Sequence, residues 1–463
     1  MAAIVATVPA TAHEGVGAPD IRSFSGSPLM LQVVLTDPLQ EVTALSLSSD
    51  TSTLTYRIPE GLPREELIMH MSPFFGPGVY DLEILLETGG SETKTTRFQV
   101  GFVDFVWGRD NLSFGNNDQY QSVIGTFGEV LSDWVRARFG EITETDLVLL
   151  VDYMYSLFGT NTGRCYAFAG TEVRYWRWPD LLPSYYDTLH DLRGTVARHQ
   201  REMNYLQFDL VFEHFVAREG YERLWRPLTH EEILDQALRI ESSIAAHMPV
   251  AVGFGGPGFH HSMLVFGYIH NPARETIDLL VANNWKSDEK LNIHSEDAEM
   301  VRLFLAEDQE APRIEWRYEG GLRTSIIDRL MVLDVQRDPY VHDRGCLDAL
   351  VEQLRERLHA EQRTVIVVEE VAGARLVGGD RSSGRMGRRE IREIDEVWFE
   401  YLGRVFRFTH PAGSNLELEI ADDTGARVLA VVPGDAPGLE SGRLSRTEVP
   451  PTGSTVTRRV PLR

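Results

Sequence analysis

Pro249-Val250-Ala251-Val252-Gly253-Phe254, Ser262-Met263-Leu264-Val265-Phe266-Gly267-Tyr268 and Thr276-Ile277-Asp278-Leu279-Leu280-Val281-Ala282 are the runs on which the fold turns. They are apolar along most of their length, not at alternate positions only. That is the pattern of strands buried on both faces. Asn271-Pro272 marks a turn between the second and the third. Upstream the period changes. Residues 127–139 and 145–158 repeat apolar side chains at helical spacing, and 193–225 read as one or two further helices. Thr229-His230-Glu231-Glu232 opens a capped helix that runs to about His247. Helices followed by strands make an α+β domain, expected over 104–338 and closed by a strand at 330–335.

Outward from this middle, residues 1–27 are rich in Ala, Gly, Ser and Pro and read as a flexible tail. Short, partly alternating runs at 31–36, 53–58, 80–85 and 95–100 are separated by Gly76-Pro77-Gly78 and Gly89-Gly90. They predict a small Ig-like β-sandwich over 28–103, a structural or docking module. On the other side, a helical linker is expected over 339–360 and a β-rich C-terminal domain over 361–463. Within the latter, the basic stretch 379–389 reads as a loop. The acidic stretch 295–310 reads as a solvated face.

The chain of 463 residues exceeds what one ordinary core serves, so several domains are expected. Its 43% hydrophobic and 25% charged residues are those of a globular protein. No run approaches the roughly 18 apolar residues of a membrane span. A formal charge of −24 argues against a nucleic-acid partner, because phosphate contacts need a basic face. Cys165 and Cys346 are too few for a disulfide-built secreted domain. The first residues lack a basic n-region and contain Pro9, so no signal peptide is expected, and the cytoplasm is the expected compartment. His190, His199, His214 and His230 lack ligand spacing, and neither a metal nor a cofactor is expected. Gly253 to Gly258 is no phosphate loop; it is expected to let the chain pass close to a cleft.

Gly163-Arg164-Cys165-Tyr166-Ala167-Phe168-Ala169-Gly170 carries the chemistry. A polar loop ends at Gly163 and an apolar-periodic run begins at Cys165. The sulfur is therefore expected in the first turn of a helix, where free N–H groups favour a thiolate. Alternatively Cys165 is a small buried core residue. Downstream, His260-His261-Ser262 opens an apolar strand. A base there sits on a rigid element, and because adjacent strand residues face opposite ways only one of the two histidines is expected to reach a thiol. After the next strand comes Ala282-Asn283-Asn284-Trp285, which by itself also suits a turn.

Together these segments resemble the papain family, in its compact bacterial form, over roughly residues 105–335. Gly163, Cys165, Tyr166, Ala167 and Phe168 match the signature around the nucleophile. His261 matches the histidine that opens a strand ending in Gly-Tyr, and Asn283 the asparagine two residues before a tryptophan. The resemblance implies a papain-like cysteine protease core with a catalytic triad. Cys165 would be the nucleophile, His261 its base, Asn283 the orienter of that base and Trp285 the aromatic that shields the pair. His260 and Asn284 are the alternatives. The family's glutamine six residues before the nucleophile is Gly159 here, and Asn161 is the nearest amide that could serve the oxyanion. The implied function is a hydrolase, a thiol protease or amidase that cuts a peptide bond through a thioester in a protein or peptide substrate. The flanking β domains would recruit a protein partner. Acyl transfer to an amine, as in transglutaminase-like enzymes, uses the same residues, and a papain-like binding protein without activity is the other alternative.

Overall fold

Burial explains why the apolar runs sit side by side: all residues of Thr276–Ala282 are buried. The computed structural model describes residues 20–24, 30–34, 42–57, 67–70, 77–88, 90–106, 108–115, 127–158, 164–194, 196–217, 228–256, 259–272, 275–284, 300–305, 313–318, 321–327, 329–369, 373–386, 389–402, 405–411, 414–422, 426–433, 442–449 and 456–461. Most of the expected tail, 1–19 and 25–27, lies outside them. The helices are α1 (Phe127–Phe139), α2 (Glu144–Phe158), α3 (Cys165–Arg177), α4 (Ala197–Val211), α5 (His230–Ala245) and α6 (Arg344–Glu361). The capping box that opens α5 is present. Thr229 Oγ1 accepts from the Glu232 N–H at 3.3 Å, and Glu232 Oε2 accepts from the Thr229 N–H at 2.8 Å.

The strands are β1 (Asp20–Phe24), β2 (Met30–Val34), β3 (Val42–Ser48), β4 (Thr53–Arg57), β5 (Leu67–His70), β6 (Gly78–Thr88), β7 (Gly90–Phe102), β8 (Val250–Gly256), β9 (Phe259–Asn271), β10 (Thr276–Ala282), β11 (Met300–Phe304), β12 (Arg313–Tyr318), β13 (Gly321–Ile327) and β14 (Arg329–Val332). Ten more follow α6: β15 (Arg363–Glu369), β16 (Gly373–Gly378), β17 (Arg381–Met386), β18 (Arg389–Arg392), β19 (Trp398–Leu402), β20 (Val405–Pro411), β21 (Glu417–Asp422), β22 (Ala426–Pro433), β23 (Gly442–Val449) and β24 (Val456–Pro461). The protein is thus a mixture of helices and several sheets.

The chain gathers into two compact units, each assembled from separated segments. The first takes residues 1–120, 165–194 and 225–337; the second takes 121–164, 195–224 and 338–463. In the first unit an 11-stranded sheet runs β13-β12-β11-β10-β9-β7-β6-β3-β4, with β8 and β14 paired off this path. The expected separate sandwich over 28–103 is therefore not how these strands pair. β7 joins β9 through Gln99↔His270 to Phe102↔Gly267, while β1, β2 and β5 form a small sheet of their own. β9 is long enough to serve two neighbours on one edge. Its first half pairs with β8 and its second half with β7, while β10 lines the other edge.

The strand reading also departs from sequence at two other places. The acidic stretch expected as a solvated face contains β11, whose Val301 and Leu303 are fully buried. The basic stretch expected as a loop contains β17, which turns back on β16 through Gly379 at φ 64. Ser382 and Ser383 are buried there, and the Ser383 hydroxyl accepts from the Ile394 N–H at 2.9 Å.

In the second unit two five-stranded sheets, β19-β20-β15-β22-β23 and β18-β17-β16-β21-β24, enclose one core. Ile366, Phe399 and Phe408 from one sheet pack with Leu376, Leu418 and Ile420 from the other. The strands from β15 to β24 form this β-rich module. The segments 121–164 and 195–224, expected in the middle domain, cluster with it. A buried carboxylate organises them. Asp209 on α4 accepts from Trp134 Nε1 at 2.7 Å, from Arg138 Nη2 at 2.7 Å and from His342 Nε2 at 3.0 Å. Burial raises its pKa, but Arg138 and His342 outweigh that and hold the carboxyl below the usual range.

The switch of neighbours on β9 falls at Gly267, where a Cβ would stand 2.8 Å from the Gly101 carbonyl oxygen. Backbone cannot yield there as a side chain would. Gly267→Ala is expected to destabilise the protein by about 1–3 kcal/mol, as overpacking does. Urea denaturation of the variant beside the parent protein measures this.

Candidate active site

Antiparallel register explains how residues distant in sequence meet. β10 runs back along β9, with Ala282 opposite Leu264 after a bulge at Leu280/Val281. The chain leaving β10 therefore emerges beside the start of β9, where His261 lies opposite Phe254 of β8. His261 Nε2 and Asn283 Oδ1 are 2.9 Å apart, and both residues are buried. A carboxamide oxygen only accepts, so Nε2 carries the proton and Nδ1 keeps its lone pair, the form a general base needs.

α3 packs on β8 and β9 with Cys165 as its first residue. Asn284, just past β10, ties that end of the helix down, its Nδ2 donating to the Cys165 carbonyl oxygen at 3.4 Å, and the Ser262 backbone N–H faces the thiol and favours its ionised form. Tyr166, next along the helix, lies over Gly253 of β8, whose missing side chain makes the room. A Cβ there would stand 3.0 Å from the tyrosine ring. Gly253 thus makes room for a side chain of the helix that Cys165 opens.

The structure brings Asn283 onto His261 and Asn284 onto the backbone of Cys165. The two asparagines have different partners instead of competing for one. The side chain of His260, together with Asn161 and Trp285, lies outside the described residues. Two aromatics that the sequence reading did not single out enclose the imidazole. The Phe254 ring centroid is 5.5 Å from it and that of Trp316 is 5.4 Å from it, and the two rings lie 5.6 Å apart. Trp316 comes from β12, where Ile314 and Trp316 are both buried at alternate positions. That alternation was visible in Arg313-Ile314-Glu315-Trp316-Arg317-Tyr318.

Electrostatics run against the expected thiolate. Cys165 is 5% exposed, and burial pushes its thiol up to about 12 against the pull of the Ser262, Tyr166 and Cys165 N–H groups. His261 is 1% exposed, and burial pushes its imidazole down to about 4 although the Asn283 hydrogen bond pulls the other way. The helix N-terminus contributes, but desolvation wins. The Ser262 hydroxyl and Asn284 Oδ1 are buried and lack a hydrogen-bond partner among the described residues. Both cysteines are free thiols. Among the described residues there is no cluster of three or more His, Cys, Asp or Glu side chains that could hold a metal, and no helix long and apolar enough to cross a membrane. Compared with known families and curated proteins, the chain matches no family model and no curated sequence.

The imidazole sets a pH dependence. Its pKa falls from an ordinary 6.5 to about 4 on folding, so the unfolded chain binds the proton more readily. Stability from this group is complete above pH 6.5 and is lost as pH falls toward 4. Between pH 7 and pH 5 the loss is expected to be about 2 kcal/mol. Denaturant unfolding at both pH values is expected to show this difference in the parent protein and a smaller one in His261→Gln.

Proposed function

We propose that the chain is a papain-like cysteine hydrolase that cuts a peptide or related amide bond. Cys165 is the nucleophile, His261 the base and Asn283 the group that orients it. The observation that carries this reading is the buried hydrogen bond from His261 to Asn283, made next to the residue whose backbone N–H meets the Cys165 thiol. Sulfur attacks the substrate carbonyl carbon while its proton passes to Nδ1 of His261. The C–N bond then breaks, the imidazolium protonates the leaving amine, and a thioester remains. Water, deprotonated by the same nitrogen, opens the thioester and restores the thiol. Phe254 and Trp316 keep solvent from the His261–Asn283 bond. The unsatisfied polar atoms of Ser262 and Asn284 offer contacts to an incoming amide. An amine in place of water would turn the same intermediate to acyl transfer.

Burial pushes the thiol up to about 12 and the imidazole down to about 4, so desolvation opposes a resting ion pair in the closed site. Substrate binding, or an opening that rehydrates the sulfur, relieves that opposition. The same opposition favours a second reading, a papain-like protein that binds peptides without cutting them. The β modules would serve as recruiting surfaces in either case.

Iodoacetamide at neutral pH separates the two. The hydrolase is expected to label at Cys165 through transient opening of the site, and to label there more slowly in His261→Ala. Peptide-library turnover by the same protein, with and without an added amine, is expected to vanish in Cys165→Ala. It should fall nearly as far in His261→Ala, by about 10²-fold or more, and less in His260→Ala. A folded protein that neither labels at Cys165 nor turns over peptides is the binding protein.

A further inference from the structure

The second unit holds a cavity of about 310 Å³, near the lower end of the range for small-molecule sites. Strand alternation fixes its floor. Phe406 and Phe408 of β20 point into the sandwich core, so Arg407 and Thr409 point the other way; on β15, Ile366 is core-facing and Val365 is not. Trp398, Thr409 and Val365 form one row across three strands. Helical spacing fixes the walls. Asp152 and Tyr153 follow Leu149 at three and four residues on α2, and Arg357 and Leu358 follow Leu354 in the same way on α6.

The lining combines an apolar half with an unevenly balanced charged half. Arg407 is paired with Asp152, and its guanidinium lies 4.7 Å from the centroid of the Trp398 ring. Arg357 bonds Glu361 at 2.7 Å. Arg363 forms a longer ion pair with that same carboxylate, at 3.8 Å, so the two arginines share it. Three arginines thus meet two carboxylates. Thr409 is 7% exposed, and its hydroxyl has no partner among the described residues. Arg363 pairs with Pro411 and Val365 with Thr409, so Arg363 and Thr409 are diagonal neighbours on one face, a separation that a side chain as long as arginine can span.

We propose that this cavity binds a hydrophobic carboxylate. The carboxyl group sits between Arg363 and the Thr409 hydroxyl, with an apolar group of phenyl or isobutyl size against Trp398 and Leu149. A free small acid and the C-terminal residue of a peptide present this same chemistry. An arginine that shares its one carboxylate with Arg357 keeps donors for a second anion, and it selects a carboxylate over a neutral isostere because the charged hydrogen bond is lost with the charge.

Calorimetric titration of the full chain tests this with 3-phenylpropionate, its neutral amide, and a short peptide ending in phenylalanine with a free or an amidated terminus. The peptide arm uses Cys165→Ala so that turnover does not interfere. At least one carboxylate is expected to bind with a Kd on the order of a millimolar or tighter. Its amide, Arg363→Gln and Thr409→Val should each weaken binding by about tenfold. Arg363 is half-exposed, so its replacement leaves the fold, checked by circular dichroism, in place. Binding of the peptide alone identifies a chain terminus as the ligand, and binding of the free acid alone a small molecule. No saturable binding of either carboxylate, equal binding of acid and amide, or unchanged affinity in Arg363→Gln overturns the proposal.

Discussion

One strand with three partners holds the first unit together. β9 gives one edge to β10 and divides the other between β8 and β7. Everything near the thiol depends on that division. The half paired with β8 carries His261 and Ser262, and the half paired with β7 anchors the N-terminal strands. Side chains alternate along a strand, so a slip of one residue in either ladder would turn His261 to the opposite face. Gly267 at the junction and the bulge in β10 fix the register at the point where it matters most.

Burial also decides the charge state of the site. Asp209 and Cys165 are both desolvated, yet only one is held in its charged form. Asp209 meets a guanidinium, an indole N–H and an imidazole, and these overcome the loss of water. Cys165 meets backbone N–H groups alone, and these do not. A helix N-terminus brings part of a charge, whereas full desolvation of a thiolate needs a whole one. Position in the first turn of a helix is thus a weak guide to thiol acidity when the sulfur lies under a sheet.

The sequence made the central strands legible because β8, β9 and β10 are buried on both faces and their composition is continuous. The capping box of α5 was legible because it is a local signal complete in four residues. The partner of His261 was legible as a choice between Asn283 and Asn284, and register settled it. The pairing of β7 with β9 left no trace, since residues 99–102 and 267–270 share nothing local. β11 was hidden by the acidic residues around it, and β17 by serines whose hydroxyls are bonded inside the sandwich. Trp316 is marked only by the alternation of a short strand, with Ile314 and Trp316 buried between charged neighbours.

The second unit draws on three stretches of chain separated by segments of the first. Asp146 and Asp152 of α2 find Arg355 and Arg407 as partners only 209 and 255 residues later. During synthesis from the N-terminus, α2 leaves the ribosome long before β15, β22 and β23, the strands it packs on, exist. For that interval part of its apolar face lacks its native cover. The first unit has all its strands once Val332 has been made, and so can fold ahead of its neighbour. Such long-range closure slows folding and lengthens exposure to aggregation. The interleaved arrangement of segments therefore allows the sheet around β9 to form before the sandwich.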